Sequence, residues 1–199
     1  LVFTIHNLAY QGVFPHEDFV RLGIAPHYWH RDAVEFHGYF SFIKAGIVFA
    51  DGVTTVSPSY AREVQTEAFG QGLDGLLRHR APVLSGILNG IDTTAWNPSR
   101  DPALALNYGV ATLARKRQNK IALQAETGLD TDPAAPLFAF VGRLAEQKGI
   151  DLLLDALPVL LEHPAQAVML GSGDAVYEAA LATLADAHPG RFALRIGYE

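Results

Sequence analysis

The fold class is decided by the stretch LFAFVGRLAEQKGIDLLLDALPVLLE, residues 137–162. Its five apolar residues, Leu137–Val141, predict a strand, and residues 149–162 predict a helix that Pro158 should kink or split. The side chains expected to bury this helix are Leu152, Leu153, Ala156, Leu157, Leu160 and Leu161. Strand-like and helix-like runs alternate in the same way along the whole chain, which predicts an α/β fold with parallel sheets.

The other predicted elements fall into two blocks. Further strands are predicted at residues 1–5, 53–56, 86–88, 167–170 and 192–196, and further helices at residues 58–68, 111–127 and 175–188. Ser57 is the expected N-cap of the helix that begins at Pro58, and Gly128 should end the helix at residues 111–127.

Residues 91–135 are rich in Asp, Pro, Thr, Asn and Arg, and they are predicted to form a linker with a connecting helix. The two α/β blocks then span residues 1–90 and 136–199. Because the first strand, expected to be buried, opens at Leu1 without an initiator Met, we expect the chain to be an internal piece of a longer protein.

The composition excludes several classes of protein. Of 199 residues 49% are hydrophobic, but the longest apolar run, residues 40–50, contains Lys44 and is shorter than the roughly 20 residues that a membrane helix needs. The formal net charge of -6 and the scattered Lys and Arg argue against nucleic acid as a partner. The absence of cysteine excludes disulfides and thiolate chemistry, and it fits a cytosolic protein.

Two cations in the loop after Val141 form the first candidate site. Arg143 and Lys148 lie between a strand and a helix, at the carboxyl end of the strand, where ligands bind in open α/β sheets. A guanidinium, an ammonium and the N–H groups of a helix start suit an anion, such as a diphosphate leaving group that gains negative charge as a sugar bond breaks. A solvated surface loop with two basic side chains fits the same residues.

Three further segments carry polar or glycine-rich turns. LGSGD, residues 170–174, is typical of part of a dinucleotide fingerprint without its third glycine, and a plain strand-to-helix turn capped by Asp174 fits it as well. HNLAYQG, residues 6–12, follows a strand with side chains that suit sugar hydroxyls, although His6 also fits a buried core histidine. Asn89-Gly90 predicts either a domain junction or a turn with no other role. The remaining histidines lack metal-ligand spacing, so no metal site is predicted.

Taken together, these segments resemble the glycogen and starch synthases, glycosyltransferase family 5, which have the GT-B fold. The resemblance rests on the order and spacing of seven segments: HNLAYQG (6–12), SFIKAGIVFADGVTTVSPSYAREVQT (41–66), GLDGLLRHR (72–80), GILNGIDTTAWNP (86–98), FVGRLAEQKGIDLLLDALP (140–158), LGSGD (170–174) and IGYE (196–199). It implies two Rossmann-like domains, both incomplete in this chain. Residues 1–90 would be the C-terminal part of the acceptor-side catalytic domain, and residues 136–199 the first part of the nucleotide-sugar-binding domain.

The resemblance also implies three catalytic residues. Arg143 and Lys148 match the pair that binds the donor diphosphate and supports its departure, and His6 matches a histidine close to the transferred glucosyl group. The residues implied to bind substrate are Asn7, Tyr10, Gln11, Asn89, Gly142, Gly171, Gly173, Asp174, Gly197 and Tyr198.

Within the binding set, five residues match named parts of the family's site. Asn89 matches the inter-domain turn beside the donor, and Gly197 and Tyr198 match a Gly-Tyr pair beside the nucleotide base. Gly171 and Gly173 match the family's G-x-G-D turn, whose role is more structural.

The resemblance implies transfer of glucose from ADP-glucose to the non-reducing end of an α-1,4-glucan with retention, and it implies no metal and no cofactor. The expected partners are a nucleotide-sugar donor and an α-glucan acceptor, with no nucleic acid and no membrane. The expected location is the cytoplasm, or the plastid if the source is a plant. ADP-glucose is expected over UDP-glucose because the segments resemble the bacterial and plant enzymes, and the oligomeric state stays open.

Two family motifs are absent from the sequence, a lysine-glycine-glycine loop before Leu1 and an acidic E-x7-E motif after Glu199. We therefore expect the 199-residue chain by itself to have little or no synthase activity. The alternatives are another retaining GT-B transferase of the sucrose-synthesising or cell-wall type, and a non-catalytic glucan-binding module.

Overall fold

The computed structural model describes residues 1–197, which form two compact units. The first unit is Leu1–Ile91, and the second begins at Asp92. Residues 92–135 therefore group with the second unit. The functional roles of the two blocks, acceptor-side and nucleotide-sugar-binding, stay predictions.

The first unit contains two small sheets. Its strands are β1 (Val2–Ile5), β2 (Val13–Phe14), β3 (Glu35–Phe36), β4 (Tyr39–Ser41), β5 (Gly52–Thr55) and β6 (Leu84–Gly86). Its helices are α1 (His16–Arg21), α2 (Phe42–Phe49), α3 (Pro58–Glu63) and α4 (Asp74–His79), with 3-10 turns at Pro26–Tyr28 and Ala81–Val83. One sheet is parallel with the order β1-β5-β6, and the other is antiparallel with the order β2-β4-β3.

The second unit is a single parallel sheet with helices between its strands. Its elements are α5 (Lys116–Thr127), β7 (Leu137–Val141), α6 (Ile150–Glu162), β8 (Gln166–Gly171), α7 (Ala175–Ala187) and β9 (Phe192–Ile196), with 3-10 turns at Val110–Arg115 and Glu146–Lys148. The strand order is β7-β8-β9, and both pairings are parallel. The α/β architecture with parallel sheets predicted from the alternation is confirmed in both units, and the antiparallel sheet β2-β4-β3 of the first unit was not predicted.

Local sequence signals predicted the ends of several helices and strands correctly. The Ser57 hydroxyl accepts a hydrogen bond from the Tyr60 N–H at 2.9 Å, and Pro58 follows it at the first helical position, so the predicted N-cap is confirmed. Gly128 ends α5 with a left-handed φ of 75°, which a side chain would strain. β7 and β9 have the predicted bounds.

The structure corrects the position of β6, which was predicted at residues 86–88. The strand is Leu84–Gly86, and at Gly86 the backbone passes close to the start of α3. A Cβ at Gly86 would lie 2.1 Å from the Ser57 carbonyl oxygen. This close approach is a tertiary feature that an Asn-Gly turn signal three residues later could not reveal.

The structure also corrects α6, which continues without interruption through Pro158. Pro158 is exposed, and Ile150, Leu157 and Leu161 are buried at spacings that place them on one helical face. Packing of that face outweighs the single backbone hydrogen bond that proline removes. The predicted burial of Leu152 and Ala156 is wrong, since both are exposed.

The first strand is likewise less buried than predicted. Leu1 and Val2 are 80% and 66% exposed, and within β1 only Ile5 is fully buried. β1 pairs with β5 alone among the described strands, and of its other side chains Phe3 is partly buried against the core of the first unit.

Two buried glutamines connect α5 to the sheet of the second unit. Gln124 on α5 is 0% exposed and Gln166 on β8 is 1% exposed, and the Gln124 Nε2 donates to the Gln166 Oε1 at 2.5 Å. The Gln166 Nε2 in turn donates to the Asp130 carbonyl oxygen at 2.7 Å and to the Gly190 carbonyl oxygen at 3.2 Å. The amide pair therefore ties the helix, the loop after it and the strand together.

Replacing Gln124 with Ala is expected to lower the free energy of unfolding by about 2–3 kcal/mol, because the Gln166 Oε1 would stay buried without its donor. Urea unfolding followed by circular dichroism measures the loss. Gln118→Ala is the matched control, since Gln118 lies exposed on the same helix and should cost within about 0.5 kcal/mol. Equal losses for the two variants would contradict a structural role for the buried pair.

Candidate functional site

The carboxyl ends of β7 and β8 lie side by side, and the loops that follow them form one surface of the second unit. Residues 142–149 follow β7 and residues 172–174 follow β8. The Leu144 N–H donates to the Ser172 carbonyl oxygen at 3.0 Å, and the Asp174 N–H donates to the Leu144 carbonyl oxygen at 2.8 Å. Leu144 is completely buried and anchors the first loop in the core.

Two glycines allow these loops to approach so closely. A Cβ at Gly171 would lie 1.9 Å from the Gly142 carbonyl oxygen, and a Cβ at Gly173 would lie 2.2 Å from the Leu144 carbonyl oxygen. Both distances are far inside van der Waals contact, so only glycine fits. The glycines of the LGSGD segment thus bring the two loops into contact.

Arg143 and Lys148 are both exposed on the first loop, Arg143 directly before the buried Leu144 anchor and Lys148 at the end of the turn that follows it. The 3-10 turn Glu146–Lys148 begins between them, and Gly149, with φ 71°, then starts α6. Both cations therefore lie on the N-terminal side of α6, where its positive dipole end and free N–H groups add to the attraction for an anion.

Carboxylates also lie at this surface. Burial raises the pKa of the Tyr177 hydroxyl, and three neighbouring carboxylates raise it further: Glu146, Asp151 and Asp174. Asp174 occupies the N-cap position of α7, but its side chain makes no capping hydrogen bond, so the predicted cap is wrong. Glu178 binds the turn instead, since its Oε1 accepts from the Gly173 N–H at 2.8 Å.

The end of β9, the third strand of this sheet, contacts the glycine turn after β8. The Gly197 N–H donates to the Gly171 carbonyl oxygen at 3.1 Å. Gly197 is thus held beside the turn after β8. Tyr198, the other member of the predicted pair, lies outside the described residues.

The candidate sugar-binding segment of the first unit is the loop after β1. His6 is exposed, so the buried-core interpretation of this histidine is wrong. The Asn7 Oδ1 accepts from the Ala9 N–H at 3.0 Å, and Tyr10 is 64% exposed. The Gln11 Nε2 donates to the Gln71 carbonyl oxygen at 2.7 Å. The loop therefore presents a histidine and an aromatic side chain to solvent while Asn7 and Gln11 hold its backbone.

Contacts from three other segments fix this loop. Leu8 is 1% exposed, and its N–H donates to the Tyr60 hydroxyl at 2.9 Å. The Ser41 hydroxyl, which caps α2, donates to the Gln11 carbonyl oxygen at 3.3 Å, and the Ile43 N–H donates to the same oxygen at 3.2 Å. Tyr60, Ser41 and Gln71 were not singled out from the sequence, because no local pattern indicates such long-range contacts.

Replacing Tyr60 with Phe is expected to lower the free energy of unfolding by about 1 kcal/mol, because the part-buried Leu8 N–H would lose its acceptor while the ring packing stays. Hydrogen exchange of the Leu8 amide measures the local effect and should become faster. Tyr39→Phe is the control, since Tyr39 is 51% exposed on β4. An unchanged Leu8 exchange rate in Tyr60→Phe would contradict the anchoring role.

Asn89 follows β6 near the boundary of the first unit. The Ile87 N–H donates to the Thr55 carbonyl oxygen at 2.8 Å, and Asn89 and Gly90 beyond it are exposed. The unit boundary after Ile91 lies two residues further.

Among residues 1–197, no group of three or more His, Asp or Glu side chains is arranged to hold a metal ion. In that part of the chain, no helix combines the length and apolarity needed to cross a membrane.

These features define the class of protein. Parallel βα units with a glycine turn and a cationic loop at the carboxyl ends of the strands are typical of Rossmann-like nucleotide-binding domains. Residues 1–79 match the family described as the starch synthase catalytic domain.

Similar proteins narrow the class to one family. The chain is 55% identical over its full length to glycogen synthase 1 of Methylococcus capsulatus, and 55% identical to a glycogen synthase of Alkalilimnicola ehrlichii. A solved catalytic domain of starch synthase IV from Arabidopsis thaliana, bound to ADP and acarbose, covers the whole chain with a TM-score of 0.92 and 32% identity. The chain belongs to the glycogen and starch synthase family, whose catalytic domains have the GT-B fold.

The chain spans 40% of the length of the Methylococcus relative, 42% of the Alkalilimnicola relative and 42% of the solved starch synthase chain. The activity and the substrates of the whole protein are therefore proposed from these similarities together with the site.

Proposed function

We propose that the protein is a glycogen synthase that transfers glucose from ADP-glucose to the non-reducing end of an α-1,4-glucan with retention of configuration. The observation that carries the proposal is the similarity of all 199 residues to a part of bacterial glycogen synthases, together with a cationic loop at the carboxyl end of β7. The protein acts in the cytoplasm and needs neither a metal nor a cofactor.

In this proposal the loop after β7 acts on the leaving group. Negative charge accumulates on the diphosphate as its bond to the glucosyl carbon breaks, and Arg143 and Lys148 stabilise that charge. Arg143 offers a planar pair of donors and Lys148 a compact point charge, while the N–H groups at the start of α6 add further donors. The closely packed turn around Gly171 keeps the loop in place.

The loop after β1 acts on the sugar. His6 lies close to the transferred glucosyl group, and Asn7, Tyr10 and Gln11 form the polar and aromatic surface around it. Asp174 and Asn89 complete the donor-binding set with Gly142, Gly173, Gly197 and Tyr198.

The test is a transfer assay on the full-length protein with radiolabelled ADP-glucose or UDP-glucose, each with and without glycogen. We expect label to enter glycogen from ADP-glucose, at a rate that depends on glycogen, and at a much lower rate from UDP-glucose. Transfer from UDP-glucose to a small acceptor would instead indicate a sucrose-synthesising or cell-wall enzyme. Glycogen binding without any turnover would indicate a non-catalytic module.

A further inference from the structure

A second cationic surface lies in the first unit, and no residue of the loop after β1 contributes to it. It is a cavity of about 720 Å³ whose walls come from residues 31–36, from α2 and from residues 72–80 around α4. None of the residues His6, Asn7, Tyr10 and Gln11 lines this cavity. The proposed function assigns no role to the cavity.

The charge of the cavity lining is predominantly positive. Arg31, Lys44 and Arg80 contribute cationic side chains, and His79 contributes an imidazole. Asp32 is the single carboxylate in the lining. Three cations against one carboxylate in a concave surface attract an anion more strongly than the same charges spread over a convex one.

Lys44 is held almost fully buried in the wall. It is 8% exposed, and its Nζ donates to the backbone carbonyl oxygens of Arg31 and Glu35. Burial lowers the pKa of the Lys44 ammonium, with Glu35 and Asp32 acting in the opposite direction. Because an ammonium has three donors, one N–H stays available beyond the two carbonyl contacts.

Arg80 supplies a second buried donor. Its Nη2 donates to the Ala50 carbonyl oxygen, which fixes one edge of the guanidinium. The Arg80 Nε is buried and has no hydrogen-bond partner within the part of the chain that the structure describes. Arg80 also lines the cavity, where its guanidinium can form a charge-assisted hydrogen bond with an oxyanion.

We propose that this cavity binds a phosphate group, either as inorganic phosphate or as the phosphomonoester of a small molecule. The Arg80 guanidinium and the Lys44 ammonium would contact the phosphate oxygens from the wall, and Arg31 would do so from the exposed rim. Gly72 in the wall adjoins Gln71, whose carbonyl oxygen holds Gln11 of the loop after β1. The site therefore adjoins a contact that fixes the candidate sugar-binding loop.

Isothermal titration calorimetry of the full-length protein at constant ionic strength tests the proposal, with inorganic phosphate and glycerol 3-phosphate as separate probes. We expect saturable binding of at least one probe, and the comparison of the two identifies the preferred source of the phosphate group. Arg80→Gln should weaken binding about tenfold, since it removes a charge-assisted hydrogen bond. Arg31→Gln should weaken it about threefold, because that side chain is exposed.

Arg62→Gln is the matched control, because it removes the same charge from an exposed position on α3 outside the cavity lining. Binding of the probe should stay unchanged in this variant. Equal weakening in Arg62→Gln, or no saturable binding in the unchanged protein, would overturn the proposal. Weakening by Arg143→Ala with no effect of Arg31→Gln or Arg80→Gln would also overturn it, and would place phosphate at the loop after β7.

Discussion

Arg143→Ala and Lys148→Ala, made separately in the full-length protein, are each expected to lower kcat about a hundredfold or more. Under the proposed function, both side chains stabilise negative charge that develops on the diphosphate as the glucosyl bond breaks. Contacts that strengthen in the transition state affect kcat, whereas contacts made equally in the ground state affect KM alone. Steady-state incorporation of labelled glucose into glycogen measures both constants.

Lys116→Ala and Arg117→Ala are suitable controls for these variants. Both side chains are exposed cations of the same unit, but they lie on α5 and not in the loop after β7. We expect their kcat to stay close to that of the unchanged protein. A near-normal kcat for both Arg143→Ala and Lys148→Ala would refute the assignment of the diphosphate to this loop.

Gly171→Ala is expected to lower the free energy of unfolding of the second unit by about 3 kcal/mol, which is at the upper end for overpacking of a close-packed region. The added Cβ would lie 1.9 Å from the Gly142 carbonyl oxygen, so one of the two loops must move. Moving the loop after β7 also breaks the hydrogen bond from the Gly142 N–H to the Leu170 carbonyl oxygen, which measures 3.1 Å. Native-state hydrogen exchange of the β7 and β8 amides measures the loss.

Gly142→Ala is the matched control for Gly171→Ala. Its added Cβ would lie 3.5 Å from the Phe140 ring, an ordinary van der Waals contact, so the expected change in unfolding free energy is within about 1 kcal/mol. Equal destabilisation by the two substitutions would show that the close approach of the loops is not what requires glycine at position 171.

The second unit could be predicted well because its signals are local. Leu137–Val141 and Phe192–Ile196 are short apolar runs bounded by polar or turn residues, and both strands have the predicted bounds. The glycine at position 128 ends a helix for a reason that depends on its own backbone angles alone.

The short elements of the first unit could not be predicted to the same degree. The antiparallel sheet β2-β4-β3 contains strands of two and three residues, which are too short to carry a periodic pattern. α1 and α4 are six residues long, and each is held by a buried aromatic or leucine, Phe19 and Leu77 respectively. Such elements form because of their tertiary contacts, since helices of this length are not stable alone.

The candidate site also combines segments that the sequence reveals with tertiary contacts that it does not. The glycine-rich turn, the cations after β7 and the polar run after β1 are visible in the sequence, because each is a contiguous segment at the end of a strand. The partners that hold the polar run after β1, such as Tyr60 for Leu8 and Gln71 for Gln11, are distant in sequence. Nothing in their neighbours indicates the pairing.

The stretch at residues 137–162 by itself determined a strand, a cationic loop and a helix, because apolar patterning and glycine act over a few residues. Only the tertiary structure decided that α6 runs through Pro158, since packing of Leu157 and Leu161 outweighs the local preference of proline. Only the tertiary structure showed why position 171 requires glycine. The Gly142 carbonyl oxygen that excludes a side chain there comes from the neighbouring strand end, which the fold alone brings into contact.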